Sequence, residues 1–193
     1  MRTGKFSRKT KETEISAFIH LDGGSIEVNT PIPFFTHMLE AFFKHGGFGG
    51  KLSVKGDIEI DAHHTIEDTG IVLGKAFLEA LGEKKGIERF GQCMLPMDET
   101  LIECAVDLGG RFYLVYGVEF DQNEIGGISI DIFRDYFYAF ADAARMNLHL
   151  NLKYGISPHH KIEACFKAMG RAMRSAAMIK QGDSSIPSTK GVL

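Results

Sequence analysis

The sequence predicts an α+β fold built from two copies of one unit, and three observations carry that expectation. First, His63-His64-Thr65-Ile66-Glu67 recurs as His159-His160-Lys161-Ile162-Glu163, 159 − 63 = 96 residues further on. Second, the register persists: Gly74 answers to Gly170 and Ala76 to Ala172, so six identities fall within fourteen positions. Third, the hydrophobic periodicity around each motif runs in the same order, β-β-α-β-α. The halves are expected at about residues 1–93 and 94–193 of one catalytic domain.

In the first half, Ile15, Ala17, Ile19 and Leu21 alternate, which predicts a half-buried strand over residues 14–21. Asp22-Gly23-Gly24 turns the chain, and residues 25–29 are expected to return as its hairpin partner. Pro31 and Pro33 break the pattern before a helix over residues 34–45, whose Phe35, Met38, Leu39, Phe42 and Phe43 form an apolar stripe. A strand over 51–61, carried by Leu52, Val54, Ile58 and Ile60, leads into a helix over 62–81 that opens with the first His-His-x-x-Glu.

The second half repeats this. A strand over 100–107 turns at Leu108-Gly109-Gly110 and returns over 111–118. Helix 132–145, strand 147–153 with Leu148, Leu150 and Leu152 on one face, and helix 158–180 follow. Residues 82–96 are expected to be a linker, and the Gly/Ser/Pro-containing tail from 182 onward the most mobile part.

Composition excludes several classes of function. A 193-residue chain, 44% hydrophobic and 24% charged, can bury a core of its own. A net charge of −3 argues against a nucleic-acid partner. No apolar window is long enough to span a membrane, and the charged N-terminus has no apolar run behind it. Three cysteines without CxxC spacing fit a reducing, cytoplasmic setting better than a disulfide framework. There is neither a Walker A pattern nor a GxGxxG.

The repeated motif points to metal. Residues i and i+4 share a helix face, so His63 with Glu67, and His159 with Glu163, can each converge on one ion. The adjacent His64 and His160 point about 100° away, so each helix can offer ligands to two ions, completed by other elements or subunits. Imidazole and carboxylate without thiolate suit Mn, Fe, Co, Ni or Zn. His37 lies in the preceding helix, and its repeat counterpart falls near 133–135, where Asp135 can complete the second site. Arg89 and Arg111, near turns, and the tail sequence Ser188-Thr189-Lys190-Gly191 offer donors for a phosphate.

The runs PFFTHMLEAFFKHG, DAHHTIEDTGIVLGKA, ERFG…PMDETL, DLGGR, NLHL, SPHHKIEACFKAMGRAM and IPSTKGVL together resemble the imidazoleglycerol-phosphate dehydratases of histidine biosynthesis, over residues 12–193. The resemblance implies a duplicated fold like the second domain of ribosomal protein S5. It also implies a 24-subunit assembly built from trimers, with active sites at subunit interfaces and two Mn²⁺ in each. The family's metal ligands fall on His37, His63, His64, Glu67, His159, His160 and Glu163. The eighth, a histidine in the family, is Asp135 here. Substrate contacts fall on Glu12, Arg89, Arg111, Lys167, Ser188 and Lys190, with Glu12 as the proton-transfer residue. The turn before Arg111 departs slightly, with Gly109 where the family usually has Ser. The implied reaction is dehydration of D-erythro-imidazoleglycerol phosphate to imidazole-acetol phosphate by way of a metal-bound imidazolate. Two alternatives stand beside it: a dinuclear metal hydrolase acting on a phosphorylated metabolite, and a metal-binding structural oligomer without activity.

Overall fold

The computed structural model describes residues 1–191, so the last two residues of the terminal run quoted above lie outside the described part. Fourteen elements follow in order: β1 Thr3–Lys9, β2 Thr13–His20, β3 Ile26–Asn29, α1 Pro33–Gly46, β4 Gly49–Gly56, α2 His63–Leu81, β5 Phe90–Met97, β6 Thr100–Asp107, β7 Tyr113–Gly117, β8 Glu124–Ile125, β9 Ile128–Ser129, α3 Asp131–Ala143, β10 Asn147–Tyr154 and α4 Pro158–Ala177. The α+β class holds. Two four-stranded sheets, ordered β1-β2-β4-β3 and β5-β6-β10-β7, form the outer layers. Between them lie the helices, with α2 packed on β1 and β2 and α4 on β5 and β6, while α1 meets α4 and α3 meets α2 across the middle.

Both predicted hairpins are corrected. β3 is not beside β2: β4 lies between them, antiparallel to β2 and parallel to β3. In the second half β10 separates β6 from β7 in the same way. The reason is competition for an edge. β2 buries Ile15, Ala17 and Ile19, and its partner in β4 buries Leu52 and Val54, whereas β3 is largely exposed and serves only as an outer strand. A parallel pair needs a crossover, and α1 supplies it between β3 and β4.

Each half also gains a strand. β1, TGKFSRK, has five consecutive exposed positions, a charged edge that carries no apolar alternation. β5 lies in the expected linker, its alternation hidden by Gly91 and Pro96, both tolerated on an edge. Each unit is therefore β-β-β-α-β-α, and the expected boundary at 93/94 cuts through β5; the division falls in the turn before Phe90. β4 stops at Gly56 rather than Asp61. The chain turns there, with the Ile60 N–H donating to the Asp57 carbonyl, and leaves Ile58 and Ile60 outside the core.

The register of the repeat changes along the chain. β6 follows β2 by 100 − 13 = 87 residues, β10 follows β4 by 147 − 49 = 98, and α4 keeps the offset of 96 from the motif. The step from 87 to 98 arises where residues 117–130, with the small β8–β9 hairpin, replace residues 30–32. Helix packing fixes the offset of the middle helices. A Cβ on Gly74 would lie 2.5 Å from the Phe140 carbonyl oxygen, and one on Gly170 would lie 2.5 Å from that of Phe42, 140 − 42 = 98 residues apart. Each motif helix can thus approach its neighbour backbone to backbone only through glycine. Aromatic rings fill the centre, with Tyr136 stacked on Phe166 at 5.0 Å and Phe35 edge-on to Tyr136 at 5.4 Å.

Candidate active site

The offset of 98 carries His37 onto Asp135, so these two residues occupy equivalent positions on α1 and α3. All four helix N-termini gather at one end of the molecule: Phe34 of α1 touches Phe133 of α3 and His159 of α4, and His63 of α2 approaches Asp135. The first two turns of these helices carry every expected metal ligand.

They assemble into two related clusters. In one, Glu163 Oε2 lies 3.0 Å from His159 Nε2 and 3.4 Å from His37 Nε2, and the three donor atoms all fall within 4.8 Å of one another. In the other, His63 Nε2 lies 3.5 Å from Glu67 Oε2, and His63 Nδ1 lies 3.9 Å from Asp135 Oδ2. Two imidazoles and a carboxylate converging on one point suit a divalent transition-metal ion, so the first cluster fits the expected Mn²⁺. Side-chain exposures of 52% at His37 and 46% at His159 leave room for ligands from outside the chain.

Glu163 is almost enclosed, and its second oxygen is taken by Lys167 Nζ at 2.6 Å. Burial pushes its carboxyl up, but the Lys167 ammonium, aided by His37 and His159, outweighs burial and holds it below the usual carboxylate range. Lys167, expected as a substrate contact, is thus bound to Glu163, an expected metal ligand. It borders a cleft with His45, Pro96 and Arg171.

The adjacent histidines face apart, as the helical geometry demands. The rings of His63 and His64 stand at 88° with centroids 6.0 Å apart, and those of His159 and His160 at 83° with the same spacing. His64 and His160 each turn Nδ1 to a carboxylate, Asp57 at 3.1 Å and Glu99 at 2.7 Å. The hydrogen bond to Asp57 raises the His64 pKa above its ordinary value, and the one to Glu99 does the same for His160. Glu99 itself is held far below the carboxylate range, first by the Ser157 N–H and then by His160. Sequence reasoning missed both acids. The 87-residue offset that maps Glu12 onto Glu99 emerges only from the paired strands of the folded repeat.

Glu12 sits in the β1–β2 turn, exposed, and its charge is felt by His64. No side-chain hydrogen bond or ion pair holds its carboxylate among the described residues.

The expected phosphate contacts form a separate cleft. Arg89, Gly109, Gly110, Arg111, Ser188, Thr189 and Lys190 line a space of about 360 Å³. Arg89 is fixed in place: Nε and Nη2 donate to Asp107 at 2.7 and 3.1 Å, Nη1 donates to the Pro187 carbonyl at 2.9 Å, and its backbone adopts a left-handed φ of 71°. The bond to Asp107 raises its pKa further. The tail expected to be mobile is tied down here, with the Gly86 N–H donating to Ser185 and the Lys180 N–H to Gly86. Nearby, buried Lys84 donates to the Leu108 carbonyl at 2.9 Å and steadies the turn into Gly109.

Within one chain the cleft and the metal ligands are far apart. The Arg89 N–H donates to Ala176 at the last turn of α4, whereas His159 lies in its first turn. At 1.5 Å per residue that separates them by roughly 25 Å, too far for one small metabolite to touch both.

Residues 30–173 match the family model described as imidazoleglycerol-phosphate dehydratase. The chain is 52% identical to the imidazoleglycerol-phosphate dehydratase of Lacticaseibacillus casei and 50% identical to that of Bacillus licheniformis, with all of each chain covered in both cases. The crystal structure of the Staphylococcus aureus enzyme superposes with a TM-score of 0.84 at 33% identity, covering 92% of this chain and 99% of that one. That of the Pyrococcus furiosus enzyme superposes at 0.85 and 32% identity, covering 97% and 100%. No helix among the described residues is long and apolar enough to cross a membrane. The chain belongs to the imidazoleglycerol-phosphate dehydratase family of hydro-lyases.

Proposed function

We propose that this chain dehydrates imidazoleglycerol phosphate to imidazole-acetol phosphate in histidine biosynthesis, with two Mn²⁺ in each active site and sites shared between subunits of a 24-subunit assembly. The observation that carries the metal part is the convergence of His37, His159 and Glu163 within 4.8 Å. Its repeat-related partner around His63, Glu67 and Asp135 supports a second ion. The shared site is supported by the roughly 25 Å between metal ligands and phosphate cleft along α4: another copy must bring its cleft to the helix N-termini of this one. A cytoplasmic setting belongs to the same reading and is supported by three free thiols.

Each of the chain's own residues has a task. Arg89, Arg111, Ser188 and Lys190 hold the phosphate and so fix the glycerol chain against the metal end of a neighbour. Asp107 holds the Arg89 guanidinium in place at the cleft wall, with one N–H on each of Nη1 and Nη2 left for the phosphate. Lys167 occupies Oε1 of Glu163, leaving Oε2 toward the histidine pair. His64 and His160 turn Nδ1 to carboxylates, which leaves Nε2 of each without a hydrogen bond among the described residues, that of His160 lying 3.8 Å from the exposed Asp98. Glu12, free of side-chain partners among the described residues, moves the proton at the substrate C–H, which no isolated carboxylate could remove from an unactivated carbon at neutral pH. When bound, the two Mn²⁺ supply the Lewis acidity that makes that proton removable and a template for the imidazole ring.

The test is direct. Chelator-stripped protein is incubated with imidazoleglycerol phosphate, with and without added Mn²⁺. Metal-dependent appearance of the dehydrated ketone without free phosphate supports the reading. Release of inorganic phosphate would instead make the chain a hydrolase.

A further inference from the structure

The duplication places two glutamates in equivalent turns, Glu12 between β1 and β2 and Glu99 between β5 and β6, 99 − 12 = 87 residues apart. Their surroundings differ. Glu99 is fully engaged: Oε1 accepts the N–H of Ser157 at 2.7 Å and of Ile156 at 3.2 Å, and Oε2 faces His160 Nδ1 at 2.7 Å. Glu12 has no such bonds among the described residues, and His64 turns to Asp57 instead. Asp57 lies just past the end of β4; the offset of 98 puts Gly155 at the matching place after β10, with no side chain to offer. The orienting carboxylate has thus moved from the β-turn to the end of the strand in one half only. Asp57 is committed to this: Oδ2 meets His64, while Oδ1 is buried with no partner among the described residues.

An imidazole that gives its Nδ1 proton to a carboxylate is fixed as the tautomer whose Nε2 carries a lone pair. Such outer partners set ring orientation and basicity in metal sites, and their loss typically costs 10–100-fold in metal affinity. From these contacts we infer that Asp57 and Glu99 are positioning residues that hold His64 and His160 for metal, and that transfer of this task to Asp57 is what releases Glu12 from it. The inference rests on the two-metal reading above.

Glu99→Gln makes the sharpest test. The Ser157 and Ile156 N–H groups keep an oxygen at Oε1, so the helix cap survives. The new amide then presents N–H to His160 Nδ1, which must become an acceptor and send its proton to Nε2. Free Mn²⁺ is measured by its electron paramagnetic resonance signal during titration of metal-free protein, with thermal melting followed in parallel. Glu99→Gln and Asp57→Ala are expected to bind Mn²⁺ about 10–100-fold more weakly. Glu12→Ala is expected to keep wild-type affinity while losing turnover. If Glu99→Gln keeps wild-type affinity, or if Glu12→Ala loses affinity as Glu99→Gln does, the division of labour is wrong. Wild-type protein that takes up no Mn²⁺ overturns the two-metal reading and this inference with it, a result distinct from either of those.

Discussion

The two clusters that share the His-His-x-x-Glu motif are the same backbone dressed differently. Around Glu163 the carboxylate is 7% exposed, two imidazoles stand within 3.4 Å of it and Lys167 clamps its far oxygen. Around Glu67 the carboxylate is 42% exposed, one imidazole lies at 3.5 Å, and the third group is Asp135, itself 3.7 Å from Arg134. The position equivalent to Lys167, 167 − 96 = 71, is Ile71, which can clamp nothing. One cluster is therefore preorganised and the other is open. In the first the donor atoms already converge, whereas in the second they stand further apart. Duplication preserved the scaffold and let the two sites diverge.

The largest effect that can break this comparison comes from the glutamates themselves. Glu163→Gln removes the centre of the preorganised cluster and leaves Lys167 without its anion. It should lower turnover by more than about 100-fold, beyond the range of outer-shell partners, and lose about half the bound Mn²⁺ by elemental analysis. Glu67→Gln should lose metal as well, with the smaller fall in turnover. A larger loss from Glu67→Gln would reverse the ranking of the two sites.

The scaffold, by contrast, should respond symmetrically. Gly74→Ala and Gly170→Ala each push a Cβ toward a backbone oxygen, forcing two helices apart, a strain of about 1–3 kcal/mol. At ~2–4 °C per kcal/mol for a chain of this length, both variants should melt several degrees below wild type by matching amounts. Unequal shifts would mean that the helix pairs are not equivalent.

Acid titration separates the clusters next. Glu163 has a folded-state pKa below its unfolded value, so it contributes stability above the ordinary carboxylate range, and that contribution is lost as pH falls through the lowered value. Without the ammonium, burial dominates and the carboxyl titrates higher. Metal-free Lys167→Met should therefore unfold at a higher pH than wild type when acidified, as read by circular dichroism. Ile71→Met, the matching change in the open cluster, should leave the acid transition where it is.

The smallest expected effect is the most specific to this chain. Asp135→His would give the open cluster the donor set of the closed one. Swapping a hard carboxylate for imidazole should raise affinity for Zn²⁺ relative to Mn²⁺, measured by competition between the two ions. An unchanged ratio would show that Asp135 does not reach the metal.

Much of this was legible from residue order. The motif repeat located both His-His-x-x-Glu helices, and β6 was expected over the residues it occupies, because Ile102, Cys104 and Val106 alternate cleanly into the core. What was not legible was pairing. Asp22-Gly23-Gly24 reads as a hairpin turn locally, but the choice between β3 and β4 as neighbour to β2 depends on which strand buries more, a property of the assembled sheet. Edge strands β1 and β5 hid for a related reason: a strand solvated on one side can do without the alternation that identifies a buried one. At the site, a constant offset of 96 found the histidines, while the orienting acids needed the offsets of 87 and 98 that only the folded repeat supplies. Residue types follow from the motif; the partners that orient them come from elsewhere in the chain.

The central claim is that one chain cannot complete an active site. It is tested most directly by mixing two inactive variants, Arg111→Ala, which damages the phosphate cleft, and Glu163→Gln, which damages the metal end. The two are unfolded together, refolded with Mn²⁺ and assayed for dehydration. If cleft and metal end come from different subunits, some sites in the mixed assembly receive an intact copy of each, and activity reappears well above that of either variant refolded alone. Activity no greater than the sum of the separate variants would place both lesions in the same site and contradict the account.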